Sequence, residues 1–237
     1  MMLRGYSRLA ASGINRMVRV TDVTLYLFCP RKLYLVGFLG IRGRPTRESI
    51  MGKLAHYAYL RASILKITED RVEEESVNIA REAVEKKLTE GLSDTEVKEI
   101  VVKTLRFRAE NPITGGVEVE KYVESVRLGL NGQIDLMEEH TPVEVKYKSR
   151  AEYRDLIQLT LYTLLLEDVY GWDIDYGYID LLKASRRLRI EVNNRLRGDA
   201  LKLRDKVQET ILMGTYPPAR DKCRGCDLKI ECRSLFH

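Results

Sequence analysis

The amino-acid sequence predicts an α/β fold organised as one unit, with a helical N-terminal half leading into a central β-sheet. Three observations carry this. Charged helical segments succeed one another from residue 47 onward. Residues 115–149, "GGVEVEKYVESVRLGLNGQIDLMEEHTPVEVKYKS", then switch to alternating, β-branched residues broken at glycine and proline. The rest reads as helix, hairpin and helix, with no repeat, low-complexity tract or linker, so residues 1–237 form a single domain.

Taken in order, "MMLRGYSRLAASGINRM" carries positive charge but no continuous apolar core, so it is no secretory signal and a cytoplasmic location is expected. Residues 1–19 read as a loose extension, with Met17 an alternative start. Thr21 or Asp22 is placed to cap a short helix, which Pro30 interrupts directly after Cys29. Beyond the basic loop "RGRPTR" (42–47), helices are expected over 47–66 and 70–90, and a third from "SDTE", where Ser93 and Glu96 match a capping box. Residues 115–149 supply three or four adjacent strands. A helix over 151–169, a hairpin over 174–193 turning near "KASR", and a last helix over 195–213 ended by Gly214 complete the chain. "TYPPARDK" then leads into a cysteine-rich tail.

Composition narrows the class. Apolar content of 44% and charged content of 32% describe a soluble globular protein, and apolar runs such as "LYTLLL" are too short to cross a bilayer. The net charge of +5 permits a polyanionic partner without requiring one. Lysine, arginine and glutamate are plentiful while glutamine occurs only at 133, 158 and 208, a balance that leans toward heat adaptation.

The strand "PVEVKYK" places Glu144 and Lys146 on one face, because side chains alternate along a strand. A hairpin with a two- or four-residue loop at "EEHT" would set Asp135 opposite Glu144, whereas an odd loop would turn it away. Two carboxylates beside a lysine suit phosphodiester chemistry. Their oxygens can hold Mg²⁺ or Mn²⁺ and so acidify a bound water, while the lysine orients that water and offsets negative charge on the phosphate. The alternative is an ion pair between strands. On the next helix, Gln158 and Tyr162 stand four apart with Arg154 one turn earlier, a stripe that could grip a DNA strand or could belong to the apolar face with Leu159, Leu165 and Leu166. His56 in "GKLAHYAYL" would complete a histidine and two-carboxylate shell if its helix crosses that sheet face; otherwise it is an ordinary satisfied histidine. Imidazole suits Mn²⁺ better than Mg²⁺. Lys148, Arg150 and Arg154 could track phosphates and Tyr147, Tyr153 and Tyr162 could stack bases, against the alternative of a solvated charged face.

The tail "CRGCDLKIEC" presents Cys223, Cys226 and Cys232 as C-x2-C-x5-C, with Cys29 the isolated fourth. Zinc, an iron–sulfur cluster and two disulfides all remain open on spacing, disulfides because heat-adapted intracellular proteins tolerate them.

Four ordered segments, "AH" (55–56), "GQID" (132–135), "EVK" (144–146) and "QLTLY" (158–162), together resemble the motifs of RecB-like nucleases in the PD-(D/E)XK superfamily. "CPRKLYL" (29–35) and the terminal cysteines further resemble the iron–sulfur RecB-like nucleases, found among AddB-type recombination nucleases and the fourth numbered family of CRISPR-associated proteins; the chain's small size favours the latter. The resemblance spans residues 20–235. It implies a restriction-endonuclease-like core, a central mixed β-sheet flanked by helices, with a helical N-terminal part. It also implies metal ligation by His56, Asp135, Glu144 and the Val145 carbonyl, with Lys146 catalytic and Gln158 and Tyr162 as the helix motif. Cys29, Cys223, Cys226 and Cys232 would hold a cluster, 4Fe-4S favoured over 2Fe-2S, as a structural clasp between Cys29 and residues 214–237. The activity implied is Mn²⁺- or Mg²⁺-dependent exonucleolytic cleavage of DNA, mostly single-stranded and 5′ to 3′, during spacer acquisition beside the CRISPR integrase. A repair nuclease outside CRISPR and a non-catalytic DNA-binding scaffold are the alternatives. Ile134 stands where the superfamily's name-giving proline would precede the aspartate, a departure common among RecB-like members.

Overall fold

The computed structural model describes Ser7, residues 17–213, Pro218 and residues 223–236. Gly214 and most of the segments 1–16 and 215–222, to which the sequence assigned a loose extension and a helix break, lie outside the described residues.

Among the described residues the sheet has six strands: β1 (Val18–Arg19), β2 (Val117–Ser125), β3 (Leu130–Glu138), β4 (Thr141–Lys146), β5 (Tyr176–Leu181) and β6 (Arg186–Glu191). β2, β3 and β4 run antiparallel in succession, β4 and β5 are parallel, and β6 returns antiparallel to β5. The sheet is therefore mixed, as the resemblance implies. Its parallel step needs a crossover, supplied by the helix between β4 and β5.

Eight α-helices accompany it among the described residues: α1 (Val20–Phe28), α2 (Pro30–Leu33), α3 (Arg47–Ile64), α4 (Val72–Glu85), α5 (Asp94–Glu110), α6 (Tyr153–Tyr170), α7 (Asn194–Met213) and α8 (Lys229–Phe236). One apolar core joins α3, α4 and α5 to Leu136, Val143 and Val145 of the sheet. A second joins α1, α6 and α7 to Leu130, Ile134 and Met137. The helices thus cover both faces of the sheet.

Local chemistry explains the boundaries. Ser93 caps α5 and Glu96 returns to its backbone N–H at 2.9 Å, forming the expected capping box. Cys29 is extended, and Pro30 opens α2 at a first-turn position where no N–H is needed. The start of α1 differs from expectation. Arg19, not Thr21 or Asp22, occupies the N-cap, and buried Asp22 accepts the Arg19 N–H at 3.1 Å and its guanidinium at 2.7 Å. Residues 18 and 19 also leave the predicted extension, because they pair in parallel with Leu130 and Asn131 as β1. Past α7 the tail contains α8, a helix of only 8 residues, too short for a helical period to show in the sequence.

Candidate active site at the fork of β3 and β4

A two-residue loop, Glu139 and His140, joins β3 to β4, so the register Leu136↔Val143 continues to Asp135 opposite Glu144. Of the two cases the sequence left open, this is the even loop, which sets Asp135 opposite Glu144. The ladder itself stops there: one edge of β3 pairs with β4 through residues 136–138 and with β1 through residues 130–131. Between them the strands fork. Val145, next in line on β4, gives its N–H to the Asp135 carboxylate at 2.8 Å rather than to a β3 carbonyl. Across from Asp135 on β2, Glu120 takes a positive φ of 51°. Ile134 and Leu136 pack into opposite cores although residues two apart in an unbroken strand share a face, so β3 rotates at Asp135.

α3 brings His56 to this fork, with Nε2 2.9 Å from Asp135 Oδ1. On β4, Glu144 is 1% exposed and its Oε1 lies 2.5 Å from Lys146 Nζ. Glu144 Oε2 is buried with no hydrogen-bond partner. Burial, then the Asp135 charge, pushes the Glu144 carboxyl well above the usual carboxylate range. Burial opposes the Asp135 charge too, but the hydrogen bond and charge of His56 outweigh it and hold Asp135 below its ordinary value. His56 and Lys146 are both raised, because the neighbouring carboxylates overcome the burial that favours their neutral forms. An orphan oxygen on a buried carboxylate beside a second one fits a hard cation, which would replace the internal partners now on these groups. Among the described residues, no three His, Cys, Asp or Glu side chains are gathered as a finished metal site.

From α6, Gln158 Oε1 accepts a hydrogen bond from Lys146 Nζ at 3.0 Å, and Gln158 Nε2 donates to the Tyr162 hydroxyl at 3.3 Å. Tyr162 is 1% exposed and lies in the core under Gly132, where a β-carbon would stand 2.7 Å from its ring. The helix motif therefore orients the lysine and does not offer an exposed grip. A groove of about 350 Å³ opens at Lys146 and Gln158, bordered by Phe28, Lys32, Lys148, Arg154 and Gly225 among others. Lys148 and Arg154 are thus at the groove, while Arg150 is exposed on the loop before α6 and the Tyr153 hydroxyl donates to Asp199 at 3.3 Å. Asp155 was missed in the sequence. It is 1% exposed, caps α6 through the Glu152 N–H at 2.7 Å and pairs with Lys148. Its "E-Y-R-D" frame lacks the Ser or Thr that marks a capping box.

Also missed was a charge network behind the site. Asp180, fully buried, receives two hydrogen bonds from Arg187 at 2.8 and 2.9 Å and one from the Tyr59 hydroxyl at 2.5 Å. Arg187 spans to Glu138 at 2.8 Å, and buried Arg108 donates to Tyr59 at 3.0 Å. These contacts tie α3 to β3, β5 and β6 one turn beyond His56.

The four cysteines are all free thiols, so the disulfide alternative is not realised; Cys29 is buried and Cys223 exposed. The tail docks on α2 through Lys32 Nζ and Asp227 Oδ1 at 2.5 Å. Burial raises the Cys226 thiol, with Cys29 near enough to add to the shift. Among the described residues these thiols do not close into a ligand group. No helix among the described residues is long and apolar enough to cross a membrane.

Comparison with known proteins gives one family match and three relatives. A family model described as the PD-(D/E)XK nuclease superfamily matches residues 19–233. The chain is 30% identical over 80 residues to the CRISPR-associated exonuclease Cas4 of Aeropyrum pernix, covering 33% of this chain and 40% of that protein. It is 24% identical to the CRISPR-associated exonuclease Csa1 of Saccharolobus solfataricus, over 94% of this chain and 88% of that one. A Cas4/Cas1 exonuclease–endonuclease fusion of Leptospira interrogans is 26% identical over 50% of this chain and 25% of its own length.

Proposed function

The chain belongs to the PD-(D/E)XK nuclease superfamily, whose members use divalent metals, and on that premise we propose that it is a metal-dependent DNA exonuclease of CRISPR adaptation. Its substrate is mainly single-stranded DNA, degraded 5′ to 3′ as fragments are trimmed for spacer acquisition. The observation that carries this is the buried Glu144, with an orphan oxygen, facing Asp135 at the fork and touching Lys146. The names of the relatives support the CRISPR setting, and the fused Cas1 endonuclease in one of them supports a partner from the adaptation complex, the integrase.

Asp135, Glu144 and His56, with the Val145 carbonyl, would hold Mn²⁺ or Mg²⁺, which supplies an acidified water and withdraws charge from the phosphate. Lys146 keeps its ammonium at the groove wall, where it offsets negative charge on a phosphoryl oxygen. Gln158 fixes the ammonium, and Tyr162 fixes Gln158 from the core. Lys148 and Arg154 steer phosphates along the groove. For the thiols we infer an iron–sulfur cluster, 4Fe-4S or 2Fe-2S, whose role is structural. It would hold the tail against α2, so that binding free energy becomes folding free energy. Four thiols are the donors such a cluster takes, though they would also suit zinc, and the resemblance of "CPRKLYL" and the terminal cysteines to iron–sulfur nucleases favours the cluster.

Protein purified without oxygen tests both parts. Iron and acid-labile sulfide should accompany it, and end-labelled single strands should shorten from the 5′ end with Mn²⁺ or Mg²⁺ but not with a chelator. Intact strands under every metal would sink the nuclease, and a colourless, zinc-loaded preparation would sink the cluster.

A further inference from the structure

The loop "RGRPTR" between α2 and α3 is the strongest basic feature that the site does not use. Arg47 is taken up by Glu96 and the Gly91 carbonyl. Arg42 and Arg44 are exposed and, among the described residues, have no acidic partner. Between them Gly43 is pressed on the tail: a β-carbon there would stand 2.7 Å from both the Asp227 carbonyl oxygen and its carboxylate. The same Asp227 binds Lys32, which borders the groove, and Gly225, two residues earlier, is part of the groove wall. Asp227 thus links loop, tail and groove. It neutralises one cation, Lys32, and packs against a loop that carries two unneutralised ones.

We propose that Arg42 and Arg44 form a second phosphate-contact site for a single-stranded nucleic acid, outside the cleavage site and positioned by the Gly43–Asp227 contact. This rests on the reading of the groove as the path of a DNA strand. Two unpaired guanidiniums flanking a glycine present their donors to successive phosphates, and the absence of a side chain at Gly43 lets the loop seat on the tail. Removing them lowers affinity and salt dependence without touching Asp135, Glu144 or Lys146. The tail thereby acts beyond its cysteines, because it sets where this site stands.

Binding of a fluorescent DNA single strand, with Ca²⁺ in place of the cleaving metals, is measured across a salt series. Arg42→Ala/Arg44→Ala should weaken binding about ten- to a hundredfold at low salt and reduce the slope of log Kd against log salt by about 1.4. Gly43→Ala, which keeps every charge, should weaken binding severalfold by displacing the loop. Arg81→Ala/Lys87→Ala removes the same charge from exposed positions that do not border the groove and should stay near wild type. If the loop variant matches that control while wild type binds, the second site is wrong and the nuclease reading stands. A Gly43→Ala protein with wild-type affinity would overturn the positioning by the tail. A wild type that binds no single strand overturns the groove reading, and this site with it.

Discussion

Lys146→Ala is expected to slow single-turnover cleavage of a DNA strand by roughly 10²–10³-fold, the usual cost of removing one preorganised charge from a site of developing negative charge. The side chain stands between the buried Glu144 carboxylate and the groove. Its ammonium meets Glu144 at 2.5 Å and Gln158 at 3.0 Å and borders the groove. Strand binding with Ca²⁺ should fall far less, because Lys148 and Arg154 remain. Gln158→Ala should give a smaller loss, since the lysine stays but loses its orienting partner. A Lys146→Ala rate within threefold of wild type would remove the lysine from the chemistry.

Asp180→Ala should lower stability by about 3–5 kcal/mol, because it leaves Arg187 and Arg108 in a buried site without their central anion. For a chain of this length that is a fall in melting temperature of roughly 6–20 °C. The effect is large because Asp180 is fully buried and has three hydrogen bonds, unlike exposed pairs such as Arg189 with Glu191. Asp180→Asn, which keeps the shape, separates loss of charge from loss of packing. Thermal unfolding of both variants decides it, and a shift under 2 °C for the alanine variant would show that Arg187 and Glu138 suffice.

What the sequence disclosed follows from interaction range. The alternation of β4 is local, so Glu144 and Lys146 could be put on one face from spacing, while the facing of Asp135 stayed open until the loop length was known. The Ser93 capping box is likewise contained in four residues. The fork was hidden because it depends on β1, a two-residue strand that pairs with Leu130 and Asn131 far along the chain. Helical spacing placed Gln158 and Tyr162 on one face but could not say that Tyr162 meets Gly132 in the core. The Asp180 network joins Tyr59 across 121 positions, and each member alone reads as an ordinary surface charge or strand residue. Lys32 and Asp227 meet across 195 positions, so the seat of the tail could be suspected from four cysteines but not located.

Divalent-ion binding at the fork is the central claim, and a Mn²⁺ titration followed by electron paramagnetic resonance tests it without requiring turnover. Wild type should bind an ion that Asp135→Ala and Glu144→Ala each weaken by more than about tenfold, while Lys148→Ala leaves it unchanged. Equal Mn²⁺ affinity in wild type and both carboxylate variants would contradict a metal held between Asp135 and Glu144.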